Sequence, residues 1–318
     1  MADAPQSPLV AVAGPTGSGK SDLALALAET LGGEIVNCDS LQVYRYFDIG
    51  TAKLALEERR GIPHHLIDII DPDQTFTAGE YARLARGVIA GISARGRLPI
   101  VAGGTGFYLR ALVDGLFEGP SRDQPLRDRL AAREARRAGG LHRLLSRFDP
   151  EAARRIHAND APKVTRALEV CLLARRPVSE LYREGRDALR GYRVLKLGLL
   201  PERDALYERL DARCRAMFEG GLVEEVRRIL ALGFPASCKP FESHGYRQAL
   251  QLIEGELNAR EALFYAQRNT RRYAKRQLTW FRREAGLEWL KGFGSDPDII
   301  RAALVRVHGF LQNGAARL

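Results

Sequence analysis

The sequence predicts an α/β fold in which helices flank a parallel sheet and an all-helical insertion interrupts the chain. Short apolar runs alternate with helical stretches over the first 120 residues. An Arg-rich stretch without a convincing strand follows up to residue 190, and an apolar run then returns at 192–199. Alternation of strands and helices is typical of a parallel sheet covered on both faces. We therefore predict a core of residues 1–120 and 191–318 and a helical insertion of residues 121–190.

Each element of the core is predicted from its own residue pattern. Strands are expected where a short apolar run leads into glycine or polar residues, and helices where apolar residues recur every three or four positions. The predicted strands are Leu9–Ala13, Glu34–Asn37, Leu98–Ala102 and Tyr192–Leu199. The predicted helices are Ser21 to Leu31, ended by Gly32 and Gly33, then Thr77–Arg95 behind a threonine cap, another after Gly103–Gly106, and a series from Pro201 to about Arg283 whose last member begins near Asn258.

Composition excludes several classes of protein. The chain has 318 residues, of which 45% are hydrophobic and 28% charged, as in ordinary globular proteins. No apolar run approaches the roughly 18 residues of a membrane helix, and the first residues, MADAPQSP, lack the pattern of a secretory signal. The four cysteines contain no Cys-x-x-Cys pair, so zinc sites and disulfides are not expected. We expect a cytoplasmic protein with free thiols and no membrane association.

Charge is distributed unevenly along the chain. Residues 1–120 carry 10 basic and 14 acidic side chains, whereas residues 121–318 carry 39 and 25. Of the 49 basic residues 42 are arginine, the side chain that binds phosphate through two parallel hydrogen bonds. The second part of the chain is therefore expected to bind a polyanion.

The strongest motif is GPTGSGKS, which fits the pattern G-x-x-x-x-G-K-[ST] between a strand and a helix. Glycines let backbone N–H groups converge on phosphate oxygens, and the helix N-terminus adds positive potential. The lysine neutralises phosphate charge and the serine hydroxyl can ligate Mg²⁺. The predicted phosphate-binding residues are Gly14, Pro15, Thr16, Gly17, Ser18, Gly19, Lys20 and Ser21, with Ser21 as the metal ligand.

Two further motifs follow predicted strands. Asp39 ends the second strand and should face the same crevice as the phosphate loop, because ligands bind beyond the carboxyl ends of parallel strands. A carboxylate there could hold Mg²⁺, cap the next helix or act as a general base, and pattern alone favours the first two. The segment Gly103–Gly106 ends the third strand. It is either a plain tight turn or a substrate site that includes Thr105.

A basic segment lies near the end of the predicted helices. Residues 262–283 contain no acid, seven basic residues and five aromatics, and Arg268, Arg272 and Arg276 form one row at helical spacing. Basic rows with interleaved aromatics suit a phosphate backbone and unstacked bases, although a solvated basic face is the alternative. His64 and His65 lack a third ligand at helical spacing, so we interpret them as loop or core residues.

Together these stretches resemble the tRNA dimethylallyltransferases, also called tRNA isopentenyltransferases. The similar segments run in order over most of the chain: GPTGSGKS (14–21), DSLQVYR (39–45), DIGTAK (48–53), HHLID (64–68), GGTGFYLRAL (103–112), RALEV (166–170), GYRQ (245–248) and TRRYAKRQLTWFR (270–282). Departures from the family pattern are Cys38 where alanine is usual, Phe47 where methionine is common and Leu54 where proline often follows. None of them removes a group that the chemistry needs.

The resemblance implies transfer of a dimethylallyl group from dimethylallyl diphosphate to N6 of adenosine 37, beside the anticodon, in tRNAs that read codons beginning with U. It assigns Asp39 to take a proton from N6, Thr105 to a place near the diphosphate, and Lys20 with Mg²⁺ to the leaving charge. The base must be flipped out of its stack to react. The residues that it brings to the tRNA anticodon stem-loop are Asp39, Ser40, Leu41, Gln42, Thr105, Arg127, Lys163, Val164, Thr165, Arg166, Ala167, Ser243, His244, Gly245, Tyr246, Arg247 and Gln248.

Several alternatives remain at this point. A small-molecule kinase that uses ATP would explain the first 120 residues about as well, but it gives the basic second part of the chain no function. An ATP-gated RNA-binding switch would explain the charge but gives Asp39 no function. Relatives that prenylate free AMP do not need the long basic part. Some eukaryotic relatives add a C-terminal zinc finger that this sequence lacks, so the resemblance is to the bacterial type. We expect a monomer.

Overall fold

The structure, a computed structural model, describes residues 6–315. The expectation for the first residues, MADAPQSP, therefore falls mostly outside the described part of the chain. The described residues divide into two compact units, one formed by residues 6–113 and 189–315 and the other by residues 114–188. The sequence had suggested a division at residues 121 and 190.

The larger unit is built on a six-stranded sheet in the order β3-β2-β4-β1-β5-β6, in which every neighbouring pair is parallel. The strands are β1 Ser7–Ala13, β2 Gly33–Asn37, β3 His64–His65, β4 Leu98–Gly103, β5 Tyr192–Leu199 and β6 Leu287–Leu290. The first strand is central and pairs with β4 on one side and with β5 on the other. Because the carboxyl ends of β1, β2 and β4 adjoin, the segments that follow them meet at one edge of the sheet.

The helices of this unit cover the sheet and extend beyond it. They are α1 Lys20–Leu31, α2 Ala78–Ala94, α3 Gly106–Val113, α9 Arg203–Glu219, α10 Leu222–Ala231, α11 Tyr246–Ile253, α12 Ala259–Phe281 and α13 Pro297–Ala315. Short 3₁₀ turns occur at Glu57–Arg59 and Lys239–Glu242. The predicted threonine cap and glycine end are present, since Thr77 forms a capping box and Gly32 ends α1 in the left-handed region. Asn258, near which the last helix was expected to begin, also forms a capping box.

The smaller unit is entirely helical in the described residues. It contains α4 Gln124–Arg136, α5 Gly140–Phe148, α6 Pro150–Arg155, α7 Ala161–Ala174 and α8 Val178–Arg183. Its own apolar core includes Leu145, Leu168 and Val178, all fully buried. Asp149 caps α6 and also accepts hydrogen bonds from Ser179, which ties α8 to the rest of the unit.

The predicted fold class, a parallel sheet flanked by helices with helical residues inserted, is confirmed. Two edge strands and one helix were not predicted. The strand β3 has only two residues, β6 begins at Leu287 after the basic helix α12 has ended at Phe281, and α13 lies beyond the last predicted helix. No described helix combines the length and the apolar character needed to cross a bilayer.

Candidate active site

A cavity of about 700 Å³ opens at the carboxyl edge of the sheet, within the larger unit. Its size is that of an ordinary small-molecule site. The phosphate loop and α1 form one end through Thr16, Lys20 and Ser21, and the segment after β2 forms the adjoining wall. The helices α9 and α12 close the opposite side. One site therefore collects residues from both ends of the chain.

The phosphate loop has the conformation that its glycines permit. Gly17 and Gly19 have φ of 77° and 84°, values that other residues rarely adopt. The Ser18 hydroxyl donates to the Pro15 carbonyl at 2.8 Å, and Lys20 Nζ donates to the same oxygen at 2.7 Å. The Lys20 ammonium group therefore lies over the phosphate loop, where it would contact an anion bound to the loop.

Lys20 has an unusual electrostatic environment. Burial lowers the pKa of its ammonium group from 10.5 to about 8, and the nearby Arg213 guanidinium acts in the same direction. The Asp39 carboxylate opposes this shift. Two cations and one carboxylate therefore face each other in a poorly solvated site, and the positive charge exceeds the negative until an anion enters.

Asp39 and Thr105 lie side by side on the segments that follow β2 and β4. Asp39 Oδ1 accepts the Leu41 N–H at 2.9 Å, and no described residue donates a hydrogen bond to its other oxygen. Thr105 Oγ1 accepts the Ser40 N–H at 3.0 Å, and the Thr105 N–H donates to the Cys38 carbonyl at 3.1 Å. A Cβ on Gly103 would collide with that carbonyl, so glycine is required for this approach. Asp39 ends a turn and keeps one oxygen free for a ligand.

Arg213 is a site residue that the sequence analysis missed. It lies on α9, four residues after Arg209, and both line the cavity. Burial lowers the pKa of Arg213, and no described group forms a hydrogen bond with its guanidinium. A half-buried, unpaired arginine opposite a phosphate loop is suited to bind an anion. Spacing alone could not single it out among 42 arginines.

The helix α12 supplies a further wall of the cavity through Ala266, Thr270, Tyr273 and Gln277. The rings of Tyr273 and His244 are 5.3 Å apart, and Arg276 lies within 3.3 Å of His244 Nε2. Burial and the Asp39 carboxylate raise the pKa of Tyr273, whereas burial and Arg276 lower that of His244. The wall thus presents neutral rings to the cavity and a cation at its rim.

Between these polar walls the cavity has an apolar part. It is lined by Ile49, Leu210, Met217, Phe218 and Leu222. The cavity as a whole can therefore hold a molecule that carries phosphate at one end and hydrocarbon at the other.

Comparison with known proteins agrees with this geometry. The model of the family described as IPP transferase matches residues 42–284. A tRNA dimethylallyltransferase of Solibacter usitatus is 77% identical over 96% of this chain and 99% of its own. The chain belongs to the IPP transferase family.

Two solved structures resemble this IPP transferase along nearly its whole length. The full-length tRNA isopentenylpyrophosphate transferase of Bacillus halodurans is 38% identical, with a TM-score of 0.70 and 97% of each chain covered. A eukaryotic dimethylallyltransferase acting on tRNA is 28% identical, with a TM-score of 0.82 over 96% of this chain and 80% of that one. The resemblance inferred from the motifs is thereby confirmed, and the kinase alternative is not favoured.

Two family segments serve to hold the cavity wall. In the segment DIGTAK, the buried Lys53 ammonium donates to the Tyr44 carbonyl at 2.6 Å and pairs with Asp48 at 2.8 Å. In GYRQ, the buried Tyr246 hydroxyl donates to Glu225 and accepts the Gly50 N–H at 3.0 Å. Both contacts fix the loop that follows Asp39.

Of the RNA contacts predicted in the larger unit, several line the cavity of this IPP transferase: Asp39, Ser40, Leu41, Gln42, Ser243, His244, Gly245 and Arg276. Thr105 is connected to this group by the hydrogen bond that its Oγ1 accepts from the Ser40 N–H. Arg247 and Arg272 are exposed, whereas Tyr246 and Gln248 are buried. The side chains of these last two pack inside the protein, so side-chain contact with RNA is not expected of them.

In the helical unit, the predicted contacts divide in the same way. Val164 and Ala167 belong to the core of this unit. The prediction of side-chain contact with RNA is therefore limited to their exposed or half-buried neighbours. Arg127 and Arg166 both hydrogen-bond to the buried Glu169, at 2.8 and 2.6 Å for the shortest contacts. Although burial alone would raise the pKa of Glu169, these bonds lower it to about 2. Part of the arginine charge is therefore already neutralised, and RNA contact by Arg127, Lys163, Thr165 and Arg166 stays a prediction.

The departure at Cys38 is also explained. Its thiol is buried and donates to the Thr105 carbonyl at 3.8 Å, and burial raises its pKa to about 12. A thiol that stays protonated is unreactive. All four cysteines of this family member are free, as predicted, and all four are buried.

Proposed function

We propose that this protein transfers the dimethylallyl group from dimethylallyl diphosphate to N6 of adenosine 37 in tRNAs that read codons beginning with U. The observation that carries the proposal is the juxtaposition, in one cavity, of a phosphate loop with two cations, an apolar part and a carboxylate oxygen to which no described residue donates a hydrogen bond. Membership of the IPP transferase family and the name of the Solibacter relative support it.

The donor diphosphate is expected at the phosphate loop. Loop N–H groups and the N-terminus of α1 would bind its oxygens, with Lys20 on one side and Arg213 on the other. As the allylic C–O bond breaks, both electrons leave with the diphosphate, and its charge rises. Preformed cations in a dry site stabilise that charge without reorganising. Thr105 would donate its hydroxyl proton to a diphosphate oxygen. The apolar part would hold the allyl group and exclude water from its cationic carbon.

The acceptor is the amine of a flipped adenine. Its lone pair is delocalised into the ring, so N6 becomes an effective nucleophile only as its proton leaves. Asp39 would accept that proton on the oxygen that no described residue occupies, while its other oxygen stays in the turn with Leu41. A new C–N bond forms, and the proton moves to the carboxylate.

Mg²⁺ is the metal that we propose for this site. Among residues 6–315, no group of three or more His, Cys, Asp or Glu side chains is placed to hold a metal ion. We therefore do not propose a metal site made only of such side chains. Mg²⁺ bound to a diphosphate needs only one or two protein oxygens, and Ser21, exposed at the cavity, fits that requirement. When bound, the ion would neutralise charge on the leaving diphosphate.

RNA binding is proposed for the exposed basic face of α12, which includes Arg272, Lys275 and Arg276. Arg271 and Arg268 are less available, since Arg271 pairs with Asp211 and Arg268 stacks on Tyr265 at 4.6 Å. We also propose that the helical unit binds the anticodon stem-loop. The reaction would occur in the cytoplasm, and we expect a monomer.

The decisive experiment incubates the protein with Mg²⁺, dimethylallyl diphosphate and an unmodified anticodon stem-loop that has adenosines at the third anticodon position and the next nucleotide. Parallel tubes replace the stem-loop by AMP or the prenyl donor by ATP, and mass spectrometry identifies the products. We expect a prenyl adduct on the stem-loop alone. An adduct on AMP would retain the chemistry and reject the tRNA substrate, whereas ATP consumption without any adduct would favour a kinase.

The lowered pKa of Lys20 predicts a pH dependence. Only the protonated ammonium attracts the diphosphate, and it loses its proton as pH rises through about 8. The kcat/KM for the donor should therefore fall above pH 8, by up to about tenfold per unit while the neutral form binds poorly. Steady-state rates at fixed tRNA concentration between pH 6.5 and 9.5 measure this. The variant Lys20→Arg should lack the decline, because guanidinium stays charged. A decline of the same form in both proteins would assign it to another group.

The exposed face of α12 predicts a salt effect. Arg272→Glu should weaken tRNA binding and reduce the slope of log K against log salt by about one, because one phosphate contact is lost. Filter binding between 50 and 250 mM KCl measures the slope. Arg301→Glu on α13, also exposed, is the matched control and should leave the slope unchanged. Equal slopes for the Arg272 variant and the unmodified protein would exclude this contact.

A further inference from the structure

Gln277, on the buried face of α12, links two loops of the active site. Its Oε1 accepts the Thr16 N–H of the phosphate loop at 2.8 Å. Its Nε2 donates to the carbonyl of Gly104, which precedes Thr105, also at 2.8 Å. Only one orientation of the amide satisfies both partners. The side chain is 6% exposed, so water does not compete for either bond.

The two linked loops carry the groups that must act on one bond. Thr16 belongs to the loop proposed to bind the diphosphate, and Thr105 lies beside the proposed base Asp39. The residues are far apart in the chain, and the two loops end β1 and β4. A Cβ on Gly104 would collide with the Gln277 amide, which shows how closely the helix approaches. The pairing of β1 with β4 ends at Ala13 and Gly103, and the amide holds the two loops together beyond that point.

The same turn of α12 faces outward with charged residues. Lys275 and Arg276 immediately precede Gln277 and are exposed, and they belong to the face proposed to bind RNA. A helix that shifts or tilts when RNA binds would carry Gln277 with it. A movement of α12 would therefore change the positions of the two loops relative to each other.

We propose that Gln277 is a positioning residue for prenyl transfer: by bridging Thr16 and Gly104 it aligns the leaving diphosphate with Thr105 and Asp39. The inference rests on the proposed function, because it concerns the rate of that reaction. Although Gln277 lines the cavity, the proposed role acts through its hydrogen bonds to the two loops and not through contact with a substrate. Misplacing reacting groups by about 1 Å can cost about a hundredfold in rate.

The first test replaces Gln277 by leucine, which fills similar space without hydrogen bonds. We expect the single-turnover rate of transfer to the stem-loop to fall about a hundredfold, while the Kd for tRNA and the Kd for pyrophosphate change less than threefold. Gln267→Leu is the matched control, because Gln267 lies on the same helix and donates to the Asp211 carbonyl at 3.1 Å away from both loops. It removes one interhelical bond and should keep the unmodified rate.

The second test separates positioning from stability. In Gln277→Glu the ionised carboxylate can accept from Thr16 but cannot donate to Gly104, whereas the protonated carboxyl can do both. Burial raises the pKa of such a carboxyl. The rate of this variant, divided by the unmodified rate at each pH, should rise severalfold from pH 8.5 to pH 5.5. A loss of stability alone would not produce this recovery.

The outcomes distinguish the two proposals. If the unmodified protein transfers the prenyl group and Gln277→Leu does so at the same rate, the positioning role is wrong and the proposed function stands. A rate ratio for Gln277→Glu that does not change with pH also overturns the role. If the unmodified protein transfers no prenyl group to the stem-loop, the proposed function fails and this inference fails with it.

Discussion

Replacing Asp39 by alanine is expected to lower the rate of prenyl transfer by about a thousandfold, within the usual range for loss of a general base. The affinity for tRNA should change little, because the carboxylate acts on one proton of a base that many other contacts hold. Single-turnover kinetics with saturating donor and stem-loop measure the rate, and filter binding measures the affinity.

Asp39→Asn is the control for the turn. The asparagine side chain can still accept the Leu41 N–H, as Asp39 Oδ1 does at 2.9 Å, but it cannot take a proton from N6. We expect the asparagine variant to be as slow as the alanine variant. If the asparagine variant works at the unmodified rate while the alanine variant does not, Asp39 is a turn residue and some other group is the base.

Replacing Lys20 by methionine is expected to lower the rate by about a thousandfold as well, since loss of one preorganised donor to a developing anion costs about 10²–10³. The Kd for pyrophosphate should rise in the same variant, because the ammonium binds the ground-state anion too. Isothermal titration measures that Kd, and the transfer assay measures the rate.

The control for Lys20 is the neighbouring cation. Arg209→Met removes a guanidinium that lines the same cavity but pairs with Asp22 at 3.6 Å and hydrogen-bonds to Ser295 at 3.3 Å. We expect a loss of less than tenfold there. Equal losses in the two variants would mean that the cavity responds to total charge and not to the position of Lys20.

Local patterns predicted the parts of the fold and site that depend on local sequence. The phosphate loop needs glycine at Gly17 and Gly19 because φ is positive there, and the lysine follows at a fixed spacing. The helix α2 begins behind Thr77, whose capping box involves only the next three residues. The four longer strands are apolar because neighbours cover both faces.

The remainder depends on contacts between distant residues. Arg213 looks like any other arginine of a polar helix until α9 is seen to face the phosphate loop. Gln277 is neutral and common, and its role arises from partners 261 and 173 positions away. Arg127 illustrates the opposite case, since a basic side chain assigned to RNA is also bound to a buried glutamate. The charge and spacing of residues in the sequence do not indicate which partner a side chain contacts in the folded protein.

The position of β1 has a consequence for synthesis of the chain on the ribosome. This strand occupies the centre of the sheet, but its neighbour β5 begins only at Tyr192 and the Gln277 contact to its loop is made later still. At translation rates of about 5–20 residues per second, the strand waits roughly 10–40 s with one hydrogen-bonding edge unpaired. The nascent chain therefore carries an exposed apolar strand edge through most of its synthesis. Such an edge is a site for chaperone binding or for misassociation with a neighbouring chain.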